Sequence, residues 1–116
     1  MRPRFQADAD FNQKIVLGLR RREPAVDFGD ARASGVVGFP DPDVLHKAAD
    51  LGRILVSHDF RTMPAHFARF LEDRSSPGLI VVLQELDIGL AIEDLLIVWA
   101  ASDGEEWRDK VGFLPL

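Results

Sequence analysis

Apolar residues recur along the chain in two patterns, one with helical spacing and one nearly continuous. Residues 4–9 can form a short strand, and residues 11–22 carry apolar side chains at the i, i+4 and i+8 spacing of an amphipathic helix. The same two patterns then repeat. Further strands are predicted at 25–29, 53–57, 77–83 and 110–116, and further helices at 41–52, 63–74 and 88–102.

Strands and helices alternate almost throughout, which is typical of a sheet with helices on both faces. Segments 53–57 and 77–83 are apolar with little alternation, as expected of strands covered on both sides. Segment 110–116 can supply a final edge strand. We therefore expect an α/β fold, a three-layer α/β/α sandwich with a mainly parallel sheet of about five strands. The length of 116 residues predicts one domain, residues 1–116.

Composition narrows the class of protein. The hydrophobic fraction of 47% is close to that of an average globular domain. No cysteine is present, which excludes disulfides and thiolate zinc sites. The longest apolar run, residues 95–101, is far shorter than the ~20 residues of a membrane span. We expect a cytoplasmic protein that does not enter a membrane. The formal charge of −5 argues against a generally basic nucleic-acid surface.

One basic cluster stands out against this acidic balance. Arg20, Arg21 and Arg22 end the first predicted helix. Their charges can complement the helix dipole in solvent, or they can contact phosphates of a nucleic acid. Both interpretations remain open, and the second makes these arginines candidate RNA-binding residues.

Acidic residues follow two predicted strands at one expected edge of the sheet. Asp8 and Asp10 lie at the exit of the first strand, Asp59 follows strand 53–57, and Asp41 begins a helix. Ligands of open α/β sheets bind outside the carboxyl ends of the strands. Two like charges ~4 Å apart at an effective dielectric near 20 repel by about 4 kcal/mol, so such a cluster must protonate, stay apart or bind a cation. Oxygen ligands predict Mg²⁺ or Mn²⁺ and phosphoryl-transfer chemistry.

Each of these residues also has a purely structural explanation. Asp41 before Pro42 is a good N-cap, and Asp10 can cap the first helix. Asp59 can form an Asx-turn, a bond from its carboxylate to the backbone two residues on. His58 is more simply a loop residue with satisfied hydrogen bonds than a ligand. His46 and His66 have no acidic or cysteine partner at ligand spacing and receive no role.

The order of these motifs resembles a known family. The stretches RFQADADFNQKIVLGLRRR, DPDVLHKAADLGRILVSHDFRTMP and PGLIVV, followed by IGLAIEDLLIVW, are similar to the PIN-like proteins related to toxin ribonucleases of toxin-antitoxin pairs. The chain most resembles a short PIN-like family of unknown function, whose first strand ends in Asp-Glu-Asn and whose later strand precedes Thr-x-Asp. The resemblance covers nearly the whole chain.

The resemblance implies roles for individual residues. It makes Asp8, Asp41 and Asp59 metal ligands and catalytic acids, with Asp10 as a further ligand, and it places Ser57 where the family usually has threonine, beside His58. It implies Mg²⁺- or Mn²⁺-dependent RNA cleavage, with RNA and an antitoxin-like protein as partners and a homodimer as one assembly. The Asp-Glu-Asn signature reads Asp8, Ala9, Asp10 here, so its middle acid is absent.

Two alternatives remain. The missing middle acid and the negative net charge are also compatible with a PIN-like domain that has lost catalysis and binds a partner protein. A phosphoacceptor receiver domain shares the α/β pattern, and Asp59 precedes Met63 and Pro64 much as a receiver acceptor precedes its Met-Pro pair, with one residue too many. Lys110 precedes the last strand, whereas receivers place a lysine after it.

Overall fold

A computed structural model describes residues 1–116. Five strands and four α-helices alternate along the chain, and one 3-10 helix precedes the last strand. In order they are β1 (Phe5–Ala7), α1 (Gln13–Arg22), β2 (Phe28–Gly29), α2 (Asp41–Leu51), β3 (Ile54–Ser57), α3 (Met63–Asp73), β4 (Leu79–Val82), α4 (Ile88–Ala101), the 3-10 helix (Gly104–Trp107) and β5 (Val111–Leu114).

The five strands form one parallel sheet in the order β2-β1-β3-β4-β5. All residues of β3 and β4 are buried, as their continuous apolar sequences predicted. The predicted α/β/α sandwich is therefore confirmed, and the sheet is wholly parallel. None of the helices has the length and apolar character needed to cross a lipid bilayer.

Alternate side chains of the sheet enter two separate cores. One core packs α1 and α4 against one face, and the other packs α2 and α3 against the opposite face. In β4, for example, Ile80 and Val82 join the first core while Leu79 and Val81 join the second. This period of two is what a strand covered on both faces requires.

The direction of the connections reverses between β1 and β3. The chain moves from β1 outward to β2 through α1, and then back past β1 to β3 through α2 on the other face. Adjacent strands whose connecting helices lie on opposite faces leave a crevice at their carboxyl ends, and this is where doubly wound proteins bind ligands. The ends of β1 and β3 are thus the preferred place for a site.

The last crossover differs in hand from the one before it. The steps from β3 to β4 and from β4 to β5 run in the same direction, yet α3 and α4 lie on opposite faces. Such reversals are rare in parallel sheets. Residues 102–110 make the connection from α4 to β5 long enough for this reversal. They pass the amino-terminal edge of the sheet, where the backbone N–H of Gly104 donates to the carbonyl of Met1 at 2.8 Å.

Two predicted helix caps are wrong. The N-cap of α1 is Asn12, whose side chain accepts from the N–H of Lys14 at 2.9 Å, so Asp10 lies outside the helix. The N-cap of α2 is Pro40, and Asp41 is the first helical residue with no capping bond. Asp41 instead stabilises α2 through its negative charge at the positive end of the helix dipole. Neither acid is accounted for as a cap.

Candidate functional site at the carboxyl ends of β1 and β3

Asp8 occupies the first position after β1, in the crevice between β1 and β3. Its N–H donates to the carbonyl of Val56 at 3.0 Å, so the backbone is still anchored to β3. Its Oδ2 accepts from the Ser57 hydroxyl at 2.9 Å, and its Oδ1 accepts from the N–H of Ala9 at 2.8 Å. Two bonds therefore hold this carboxylate in one orientation.

Burial raises the pKa of Asp8 above its ordinary value of 3.8, although the bonds from Ser57 and Ala9 oppose that rise. The charges of Asp41 and Asp10 raise this pKa further. Two of the other predicted acids therefore act electrostatically on Asp8. A half-buried carboxylate next to two others is less stable in its charged form than an exposed one, and a bound cation would reverse this.

Asp59 has a different environment, although it follows the neighbouring strand. Its Oδ1 accepts from the N–H groups of Arg61 and Thr62 at 3.1 and 2.9 Å, and its Oδ2 accepts from the Thr62 hydroxyl. The bond to Arg61 confirms the predicted Asx-turn. Burial alone would raise the pKa of Asp59, but the bonds from Thr62, Arg61 and Met63 outweigh it and lower the pKa.

Ser57 connects the two acids. It is the last residue of β3 and is 1% exposed. Its hydroxyl donates to Asp8 Oδ2 at 2.9 Å and accepts from the N–H of Asp59 at 3.1 Å. One buried hydroxyl thus orients the Asp8 carboxylate and fixes the start of the Asp59 turn.

His58 is a satisfied structural residue, as the simpler interpretation expected. Its Nδ1 lies 2.9 Å from the Val82 carbonyl, and its Nε2 accepts from the N–H of Asn12 at 3.2 Å. These partners match a neutral ring that carries its proton on Nδ1. The ring also stacks on Phe11, with centroids 4.5 Å apart.

Two further residues at this edge escaped the sequence interpretation. His66 Nε2 lies 3.6 Å from Asp41 Oδ2, across the contact between α3 and α2. No local spacing reveals a pair 25 positions apart. Asp30 directly follows β2, as Asp8 follows β1, and this parallel was a usable signal. Its pKa is lowered chiefly by a hydrogen bond from the N–H of Arg32.

The three clustered arginines do not act as one surface. Arg20 donates to the carbonyl of Phe28, and Arg22 pairs with Glu93 at 2.7 Å. Arg21 is exposed to solvent. Arg20 also lines a cavity beside β2, and a role of the three arginines in RNA binding stays a prediction.

The acids differ in how they could serve a cation. No group of three His, Asp or Glu side chains is close enough to hold a metal ion by itself. Asp8 accepts one hydrogen bond at each carboxylate oxygen and Asp41 accepts none, whereas Asp59 accepts three. Because Mg²⁺ keeps several waters and is commonly bound by one or two carboxylates and the substrate phosphates, this donor set fits such an ion.

Comparison of the chain with family models, curated proteins and solved structures finds no match.

Proposed function

We propose that the chain is a PIN-like endoribonuclease that uses Mg²⁺ or Mn²⁺ held by Asp8 and Asp41 at the carboxyl ends of β1 and β3. The observation that carries this proposal is the state of Asp8. It is partly buried at the ligand-binding crevice, oriented by Ser57, and has a pKa that Asp41 and Asp10 help to raise. Perturbed acids in such positions are typical of functional sites.

The residues at this edge of the sheet have different roles in the proposed site. Asp8 and Asp41 supply the ligand oxygens, and Asp10, which is exposed, adds negative charge at the rim. Ser57 keeps the Asp8 carboxylate pointed into the crevice. Asp59 shapes the loop between β3 and α3 through its turn, and a ligand role for Asp59 remains a prediction. When bound, a divalent cation lowers the pKa of a water and neutralises charge on a phosphodiester.

Cleavage of RNA by single-residue variants tests this function. We expect purified protein with Mn²⁺ to cut a structured or single-stranded RNA, and Asp8→Asn and Asp41→Asn each to lower the rate about a hundredfold or more, since even outer partners of a metal site change activity 10–100-fold. Asp43→Asn is the matched control for Asp41→Asn, because Asp43 is an exposed acid in the same helical turn.

The control variant should keep the parent rate within about twofold. Equal cleavage by the parent and by Asp8→Asn would indicate a contaminating nuclease and contradict the proposal. Absence of cleavage with every RNA and both cations would leave no support for catalysis.

A protein-binding module without catalysis is the second candidate function. It is favoured by the lack of a complete three-residue ligand set and by apolar side chains beside the acids, since Phe39 and Phe60 are 42% and 55% exposed. A stable complex with an antitoxin-like protein, together with no cleavage, would support it. Weakening of that complex by Phe60→Ser would locate the interface.

The receiver alternative has one feature in its favour, because its strand order 2-1-3-4-5 is also found in doubly wound receivers. The turn around Asp59 argues against it, since both carboxylate oxygens already accept bonds. Lys110 also lies at the start of β5, at the opposite edge of the sheet. No adduct of beryllofluoride at Asp59 is expected.

A further inference from the structure

A charged cavity of about 520 Å³ lies beside the edge strand β2. Three separate elements place basic residues in its lining: Arg20 comes from α1, Lys47 from α2, and Arg53 from the turn before β3. Gly29 also lines the cavity, and its lack of a side chain makes room for the side chains of Gln6 and Arg53. The volume is within the range of ligand clefts, and the lining is polar.

The two acids of this cavity are bonded differently, because Asp27 is paired with cations and Asp30 is held by neutral donors. Asp27 accepts from Arg4 at 2.8 Å and from Arg53 at 3.0 Å. Asp30 accepts from Gln13 at 2.8 Å and from backbone N–H groups. Arg20 and Lys47, in contrast, form no salt bridge. Three basic and two acidic side chains line the cavity, so the lining carries one net positive charge, although the chain as a whole has a formal charge of −5.

Arg53 is held rigidly in the cavity wall. Its side chain is 20% exposed, and one Nη donates to the fully buried Gln6 at 3.1 Å while the other pairs with Asp27. Its Nε is buried with no hydrogen-bond partner. Because this atom is inaccessible to solvent, it cannot itself donate to a ligand in the cavity, and Arg53 contributes there through its charge.

We propose that this cavity binds a phosphate oxyanion. Lys47 supplies a charged amine that forms no hydrogen bond or salt bridge, and Arg20 supplies the donors that remain beside its bond to the Phe28 carbonyl. The fixed guanidinium of Arg53 adds positive charge behind them. The site does not depend on the carboxylates of Asp8 and Asp41 or on a divalent cation. The same chemistry accepts a phosphodiester of a nucleic-acid backbone or the phosphate of a small molecule.

A titration without divalent cations tests the site. Inorganic phosphate is added to ¹⁵N-labelled protein, with chloride at equal ionic strength as the reference. We expect saturable chemical-shift changes at Arg20, Gly29 and Lys47, and a dissociation constant about tenfold higher in Lys47→Gln. Lys110→Gln is the matched control, since it removes the same charge at the opposite edge of the sheet and should stay within about twofold of the parent.

A second arm identifies the source of the phosphate. A short oligonucleotide with a phosphodiester backbone is compared with one of the same sequence whose methylphosphonate backbone is uncharged. Selective binding of the charged strand, weakened by Lys47→Gln, supports the site with nucleic acid as its ligand. Binding of inorganic phosphate alone supports it with a small phosphorylated ligand. Binding of neither, or equal weakening by Lys47→Gln and Lys110→Gln, would overturn the proposal.

Discussion

Asp8 and Asp59 follow adjacent strands at the same edge of the sheet, yet they differ in chemistry. Asp8 is partly buried, accepts two hydrogen bonds and has a raised pKa. Asp59 accepts three bonds from its own loop and has a lowered pKa. The position of an aspartate directly after a strand therefore does not by itself determine the pKa of its carboxylate. The number of donors that the fold directs at it decides whether its charge is stabilised or left for a ligand.

The shared Ser57 offers the strongest way to disturb both acids at once. We expect Ser57→Ala to lower the free energy of unfolding by about 2 kcal/mol, because it leaves Oδ2 of the partly buried Asp8 and the N–H of Asp59 without a partner. Urea denaturation measures the change. Ser75→Ala, which removes an exposed hydroxyl that also donates to an aspartate, should cost less than about 0.5 kcal/mol.

Asp59 should matter for stability even without any ligand. Asp59→Ala removes every bond of the Asx-turn and should cost about 1–2 kcal/mol in urea denaturation. Asp59→Asn keeps an oxygen that can accept from the N–H groups of Arg61 and Thr62 and should lose clearly less. If the two variants were equally stable, the turn would not be the reason for Asp59.

The two acids should give opposite pH dependence. The pKa of Asp59 is lowered, so its contribution to the free energy of unfolding is present above pH 3.8 and is lost as pH falls through its folded-state pKa. The pKa of Asp8 is raised, so its contribution to the free energy of unfolding is present below pH 3.8 and is lost as pH rises through its folded-state pKa.

Urea denaturation between pH 3 and 6 separates these contributions. The Asp8→Asn variant should be more stable relative to the parent at pH 6 than at pH 3. Asp59→Asn should show the reverse trend. Parallel curves for the parent and Asp8→Asn would contradict the assignment of a raised pKa to Asp8.

A smaller effect is expected from Asp10. The exposed charge of Asp10 raises the pKa of Asp8, so Asp10→Asn should lower it slightly, by relief of repulsion that solvent already screens. An NMR titration of the Asp8 carboxyl carbon in parent and variant measures this shift. Asp43→Asn should leave that titration unchanged, and an equal shift in both variants would point to a general charge effect.

Much of the fold could be predicted from the sequence, because buried strands and amphipathic helices each have a characteristic spacing of apolar residues. The continuous apolar run that became β4 is an example, and so is Gly52, which ends α2 in the left-handed conformation that glycine favours. The predicted caps at Asp10 and Asp41 were wrong because the cap is the residue at which the extended backbone turns into the helix. That residue is Asn12 in α1 and Pro40 in α2, each only one or two positions from the predicted cap.

The site was only partly predictable. The position of Asp8, Asp10 and Asp41 at the carboxyl edge of the sheet was expected, and the charges of Asp10 and Asp41 do raise the pKa of Asp8. The contact of His66 with Asp41 and the cavity beside β2 depend on how helices pack across α2, which sequence spacing does not encode. The engagement of both Asp59 oxygens likewise required the loop geometry.

Binding of Mn²⁺, followed by paramagnetic line broadening, tests whether a cation binds at Asp8 and Asp41. We predict that low Mn²⁺ concentrations broaden the amide signals of Asp8, Ala9 and Asp41 first, with saturation. Asp8→Asn should remove this effect, and Asp43→Asn should retain it. Uniform broadening, or selective broadening that persists in Asp8→Asn, would contradict a cation site at the carboxyl ends of β1 and β3.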